Sequence, residues 1–179
     1  SLATARVANA LADRLKMPNP EEIAVSGLLH DLGKVVLNQY HHEDFIEILE
    51  RVFVDDEELL YAETVVLDTT HDRIGGWLAA KWNLPPTLVA AVEFHHNPYL
   101  ASNHAELVYL VKFADYLCRV AKVGISGNKN PPTLTDEDQE YLQSMGLPVT
   151  EENLSNLTAE LFGALDAAGS FTDLLQARP

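Results

Sequence analysis

Cysteine, basic residues and long apolar runs are all scarce in this sequence. Cys118 is the only cysteine among 179 residues, which excludes a disulfide within the chain and is typical of a reducing compartment. Apolar residues never continue for the roughly 18 positions that a membrane-spanning helix needs. We therefore expect a cytoplasmic protein that does not associate with a membrane.

The charge balance is strongly acidic. Twelve Lys and Arg stand against 27 Asp and Glu, so the net charge is −15. Such a chain repels a phosphate backbone, and we do not expect it to bind nucleic acid through that backbone. An anionic ligand would need bound cations or a few local Lys and Arg side chains to offset this field.

The spacing of apolar residues predicts an all-α fold. Apolar positions recur with a helical period, and no segment alternates with period two over a useful length. We predict one domain over 1–179, with the chemistry-bearing motifs in 1–119 and further helices in 134–179. The predicted helices cover 1–16, 20–37, 41–54, a short acidic stretch ending near 63, 70–82, 86–96, 103–123, 135–146 and 150–168, with a loop at 124–132.

His30 and Asp31 follow the strongly apolar stretch 23–29. Adjacent residues on a helix are about 100° apart, so both side chains reach a cavity that lies between their directions. This pair suits divalent iron, manganese, zinc or magnesium to differing degrees. The alternative is a buried histidine paired with its neighbouring carboxylate or with a backbone carbonyl.

His71 lies in the first turn of a helix that Thr69 or Thr70 caps. Such a histidine is normally a surface residue. Gly75 and Gly76 follow in the same helix, where each glycine costs roughly 1 kcal/mol relative to alanine. Close approach of another helix would explain the pair and would place His71 near the centre of the domain.

His95 and His96 end an apolar helix before Asn97 and Pro98. Two successive imidazoles do not share one helix face, so one would bind a metal and the other a second metal or a substrate. The alternative is a histidine pair favoured by the negative end of the helix dipole.

Asp115 interrupts a helix that is apolar nearly all round. A buried carboxylate is costly unless a cation or metal matches it. We favour a metal, or a histidine that binds one, as its partner. The alternative is a salt bridge, and three cations are candidates for it: Lys34, Arg73 and Lys112.

The other histidines and two tryptophans receive simpler interpretations. Three histidines flank predicted helix starts and are predicted to be solvated: His41, His42 and His104. Trp77 and Trp82 have helical spacing and are predicted to lie in the core. Glu63 would support His71 as a hydrogen-bond partner, but we favour a surface position for it.

In order, the motifs read His-Asp, His, His-His and Asp, each on a different predicted helix. This order resembles the HD superfamily of metal-dependent phosphohydrolases, and more closely the HDOD subfamily of bacterial signalling proteins. The resemblance runs from Ser1 to about Arg119, and its motifs are residues 27–34, 71–75, 82–85, 94–98 and 113–117.

The resemblance implies a site that holds one or two divalent ions, with Fe, Mn, Mg, Zn or Ni as candidates. It implies that His30 and Asp31 bind metal, with Asp31 able to bridge two ions and Asp115 completing the first site. His71, His95 and His96 would bind a second metal or hold substrate. In a catalytic member Asp31 and Lys34 would act on a phosphate, which the metals would polarise.

Two departures from the pattern bear on function. The HD pattern opens with a histidine one helix upstream, and Ser1–Ala8 resembles the residues just after it, so the resemblance implies a first ligand ahead of Ser1. HDOD proteins also typically carry a helical lobe before this point. Asn97-Pro98-Tyr99 replaces the Gly-Tyr-Pro loop of cyclic-di-GMP phosphodiesterases, which disfavours that activity.

Three functional hypotheses follow from the sequence. The leading one is an HDOD-type regulatory output module of signal transduction with a retained divalent-metal site, whose partners would be a phosphate-containing small molecule and signalling domains. The second is an active phosphohydrolase or phosphodiesterase on a nucleotide or other phosphate ester. The third is a helical scaffold in which the His/Asp cluster is only hydrogen-bonded.

Overall fold

A computed structural model describes residues 1–124, 127 and 132–167, without the side chains of Glu151 and Ala167. Within these residues every regular element is helical, which confirms the all-α prediction. The α-helices are α1 (Leu2–Leu15), α2 (Pro20–Leu29), α3 (Leu32–Tyr40), α4 (His42–Phe53), α5 (Leu59–Leu67), α6 (His71–Lys81), α7 (Pro86–Phe94), α8 (Ala105–Val120), α9 (Asp136–Ser144) and α10 (Glu151–Ala167). A 3-10 helix at Pro98–His104 leads into α8.

The main core lies between α1, α2 and α8. Val7 and Leu11 of α1 and Phe113 of α8 are fully buried there. Leu142 of α9 and Leu157 of α10 belong to the same apolar cluster. The helical spacing of these residues places them on one face of each helix. Burial of that apolar face is the main contribution to the stability of the folded state.

Glycines bring α3, α6 and α7 into close contact. A Cβ added at Gly33 would lie 1.8 Å from the carbonyl oxygen of His71, and one added at Gly75 would lie 2.7 Å from a Val92 methyl group. A Cβ at Gly76 would lie 2.6 Å from the Glu93 Cβ. The predicted close approach at the glycine pair is therefore confirmed, and it buries His71 completely.

The prediction of one continuous helix over 20–37 is wrong. It divides into α2 and α3, and His30 and Asp31 form the junction. Asp31 leaves helical geometry, with φ −93° and ψ 18°. Apolar periodicity continues across the junction because both helices bury one face, and so periodicity alone does not reveal the break.

Two other predicted helices differ from the structure, and one predicted helix start is confirmed. In place of the helix predicted over 103–123, the 3-10 helix ends at His104 and α8 runs from Ala105 to Val120. The short acidic helix is α5, which is mostly apolar and runs on to Leu67. The capped start at Thr135 is confirmed, because Thr135 and Asp138 form a reciprocal capping box. Most of the predicted loop at 124–132 and the predicted end at residue 168 fall outside the described residues.

The prediction of a core position for Trp77 and Trp82 is wrong. Their exposed fractions are 63% and 58%. The face of α6 that packs inward is the glycine face, so Trp77 is directed outward, where the ammonium of Lys81 lies 4.7 Å from its ring centroid. His41 and His42 are exposed as predicted, whereas His104 is half-buried. Among the described residues, none of the helices combines the length and apolarity that crossing a membrane requires.

Candidate metal centre

Six side chains from separate parts of the chain converge at the junction of α2 and α3. Their positions follow from helix ends: His71 is the first residue of α6, and His95 and His96 directly follow α7. Two groups place one ligand atom per residue within 4.8 Å of one another; one group is His71, His95 and His96, and the other is His30, Asp31 and His95. His95 is common to both groups.

The carboxylate of Asp31 lies between the two groups. Its Oδ2 is 3.3 Å from Nε2 of His30, and its Oδ1 is 3.3 Å from Nε2 of His71. The same Oδ1 lies 3.8 Å from Nε2 of His95. The two oxygens therefore lie near different histidines, as expected for a carboxylate that could bridge two ions.

Backbone carbonyls orient two of the imidazoles. Nδ1 of His30 lies 2.8 Å from the carbonyl oxygen of Gly27, and Nδ1 of His95 lies 2.9 Å from that of Val92. Because a carbonyl only accepts, each Nδ1 carries the proton and donates it. Nε2 of both rings is left to point into the cluster.

Glu63 orients the third imidazole. Its carboxylate lies 2.8 Å from Nδ1 of His71 and accepts the backbone N–H of His71 at 2.9 Å. Both side chains are fully buried. The surface position favoured for Glu63 is wrong. The available signal was the one that singled out Asp115, namely a lone carboxylate in an apolar helix.

The donor set fits a divalent metal. Among the described residues, Nε2 of His95 is buried and makes no hydrogen bond. A buried polar atom without a partner is costly, and native structures rarely leave one. Imidazole nitrogens and a carboxylate around that atom are ligands that zinc and divalent iron accept. His96 lies close by, with its Nε2 3.1 Å from Nε2 of His71.

The HDOD family model matches residues 1–98, which is more than half of the chain and includes five of the six converging side chains. The chain belongs to the HDOD family.

Relatives of this HDOD chain are proteins of greater length. A Treponema pallidum protein of uncharacterised function is 33% identical over 96 residues, which are 53% of this chain and 19% of that protein. An HDOD protein of unknown function from Geobacter sulfurreducens superposes with a TM-score of 0.71 at 27% identity, over 93% of this chain and 56% of that structure.

Two further solved structures share the fold at lower identity. A provisionally named phosphohydrolase from Shewanella amazonensis is 22% identical with a TM-score of 0.67, and 90% of this chain covers 56% of it. A provisionally named signal transduction protein from Marinobacter aquaeolei is 21% identical with a TM-score of 0.73, and 96% of this chain covers 38% of it. The HDOD chain thus spans about half or less of these relatives.

Carboxylates decide the charge state of two histidines in the HDOD cluster. Burial lowers the pKa of His30, but the neighbouring Asp31 and Asp115 outweigh it and raise that pKa to about 9. Burial likewise lowers the pKa of His71, but hydrogen bonds that the carboxylates of Asp31 and Glu63 accept from it raise that pKa overall. Burial raises the pKa of Asp31, but the charge of His30 holds it well below its usual range.

The pKa values of the other two histidines are lowered. Burial and the charges of His30 and His71 lower the pKa of His95 well below its usual value. Burial and the adjacent His95 do the same to the pKa of His96. A lowered pKa favours neutral imidazole, which is the form that binds a metal.

Asp115 lies at the edge of the cluster. Its Oδ1 is 3.6 Å from Nε2 of His30, and its side chain is 24% exposed. Burial raises the pKa of Asp115, but the close contact with His30 lowers it overall. Two of the alternative cations pair elsewhere at 2.7 Å, Lys34 with Asp31 and Lys112 with Asp138.

Proposed function

We propose that this chain is a regulatory output module of cytoplasmic signal transduction that holds divalent metal in its His/Asp cluster. The observation that carries the metal proposal is the buried Nε2 of His95, which lies among the other donors and has no hydrogen bond to any residue that the structure describes. His71, His95 and His96 would hold one ion. His30 and Asp31 would hold a second ion, or would join His95 in binding the first. Mn and Mg are weaker candidates than Zn, Fe or Ni because imidazole dominates the donor set.

The surrounding residues prepare the ligands for that ion. Glu63 and the carbonyls of Gly27 and Val92 hold the protonated Nδ1 atoms, and the three Nε2 atoms lie 3.3–3.8 Å from the carboxylate of Asp31. Such partners behind the ligands orient the rings and raise their basicity. When bound, a divalent ion supplies Lewis-acid chemistry that polarises a phosphoryl oxygen.

Two observations support a regulatory role over turnover. Lys34, which the resemblance assigns to a phosphate, directs its ammonium to Asp31 at 2.7 Å. The second observation is that the chain belongs to the HDOD family and shares its fold with a provisionally named signal transduction protein, of which it covers 38%. A module of this kind would respond to a phosphate-containing small molecule and act on attached signalling domains.

Calorimetric titration of Zn²⁺ and Mn²⁺ into the chelator-treated chain tests the metal proposal. We expect saturable binding of one or two ions. His95→Gln should weaken it by more than the ~10–100-fold that is typical when a residue behind the ligands is changed. His42→Gln is the matched control, because His42 is exposed and outside the cluster. A wild-type chain that binds neither ion would contradict the proposal.

The second candidate is a working phosphohydrolase, and the position of Asp31 favours it. Two ions held by one carboxylate are a common arrangement for phosphate ester hydrolysis. Nucleotides and phosphodiesters assayed with Mn²⁺ should show turnover that Asp31→Asn abolishes if this candidate holds. Absence of turnover in a chain that binds metal would favour the regulatory role.

A further inference from the structure

One ammonium group joins the C-terminal helices to a candidate metal ligand. Nζ of Lys112, in α8, lies 2.7 Å from both carboxylate oxygens of Asp138 in α9. The same Nζ donates to the carbonyl oxygen of His96 at 3.3 Å. Lys112 therefore contacts α9 on one side and the backbone of His96 on the other.

The contact with α9 is held away from water. The side chain of Asp138 is 4% exposed and that of Lys112 is 21% exposed. Removing one partner of such a pair leaves the other charge without compensation, so the two groups stay together while α9 is docked. Asp138 also accepts the backbone N–H of Thr135 in the capping box, which orients its carboxylate.

His96 is anchored differently from the other imidazoles. The rings of His30, His71 and His95 are oriented through Nδ1. His96 lies beyond the end of α7, where its carbonyl is held by Lys112 and its Nε2 is 3.1 Å from that of His71. The backbone next to this ring is thus held by an ammonium group that Asp138 also holds.

The rest of α9 docks on α8 through apolar contacts. Tyr141 stacks on Tyr109 with ring centroids 3.9 Å apart, and Leu142 is buried. This helix lies beyond the segment that the family model matches. Movement of α9 would withdraw Asp138 and leave Lys112 free to release the His96 carbonyl.

We propose that Lys112 is a positioning residue through which the docking of α9 sets the metal affinity of the group formed by His71, His95 and His96. The inference rests on the proposed metal-binding function. Coupling between two sites is reciprocal, so metal bound to this group must also stabilise the docked position of α9. The docked position of α9 and the occupancy of the metal group would therefore change together.

Calorimetric titration with Zn²⁺ alone compares Lys112→Met and Asp138→Asn with the wild type. We expect either variant to bind zinc ~10–100-fold more weakly. Lys112→Arg, which keeps the charge and the donors, should recover most of the affinity. Lys81→Met is the matched control, because Lys81 is exposed and lies over Trp77, outside the cluster.

Hydrogen exchange gives a readout that a purely structural role would not change. Zinc should slow exchange of the α9 amides in the wild type, and Lys112→Met should abolish this protection while zinc still binds at higher concentration. The wild-type measurement needs no variant to fold. Unchanged exchange in α9 on zinc binding would overturn the inference.

The failures of the two proposals are distinguishable. A wild-type chain that binds zinc, with folded Lys112→Met and Asp138→Asn binding it equally well, would overturn only the role of Lys112. A wild-type chain that binds no zinc would overturn the proposed function, and this inference with it.

Discussion

A histidine offers a metal one nitrogen, and the hydrogen bond at its other nitrogen selects which one. In this chain three acceptors make that selection: the carbonyls of Gly27 and Val92, and the carboxylate of Glu63. The carbonyls belong to residues three positions before their histidines, so local helix geometry supplies them. Glu63 comes from another helix and is the one acceptor of the three that a mutation removes directly.

At the residue scale we predict that Glu63→Gln weakens metal binding. The amide keeps the shape of the side chain and still accepts the His71 backbone N–H, but it removes the charge that raises the basicity of His71. The expected loss of zinc affinity is ~10–100-fold, measured by calorimetry.

Glu152→Gln is the control, because Glu152 is an exposed residue of α10. It should bind zinc as the wild type does. Equal affinities for Glu63→Gln and the wild type would show that the carboxylate has no influence on the ligand.

At the element scale, the contact between α3 and α6 places the histidines. The backbone of Gly33 lies so close to the carbonyl of His71 that any Cβ would overlap it. The first turn of α6 therefore rests directly on α3, and this brings Nε2 of His71 to 3.3 Å from Asp31.

We predict that Gly33→Ala is strongly destabilising. The atom that the added Cβ meets is backbone, 1.8 Å away, so no side-chain rotation relieves the overlap and the helices must separate. The free energy of unfolding should fall by about 3 kcal/mol or more, measured by urea denaturation.

Gly163→Ala is the matched control, since Gly163 lies in α10 and an added Cβ would meet nothing within 4 Å. There alanine should raise the free energy of unfolding by about 0.5–1 kcal/mol, because it favours the helix. A Gly33→Ala variant as stable as the wild type would mean that α3 and α6 do not pack this closely.

At the scale of the whole molecule, the cluster joins segments that are far apart in the chain. Residues from 30 to 115 meet there, and Glu63 and Lys112 extend the network to α5 and α9. An ion bound at this point contacts side chains from several helices at once, so its binding energy favours the folded state as a unit.

We predict that zinc raises the thermal midpoint of the chain. At a free concentration 100 times Kd the folded state gains about 2.7 kcal/mol. For a chain of this size that corresponds to a rise of roughly 5–10 °C, measured by differential scanning calorimetry.

EDTA should reverse the rise, and His95→Gln should show little of it. Magnesium at the same concentration is a useful comparison, because imidazole ligands bind it poorly. A midpoint that does not move with zinc would contradict metal binding to the folded state.

The residue order alone is enough to establish the helical class, most helix ends and the candidate ligands. His30 and Asp115 stand out because polar groups beside or within apolar helical stretches are costly, and a single helix is enough to show this. His71 stands out through the glycine pair that follows it. Helix packing establishes the rest. The contact between faces of neighbouring helices determines the roles of Glu63, Lys112 and Asp138. It also determines that Trp77 is exposed. Periodicity within a single helix carries no information about that choice.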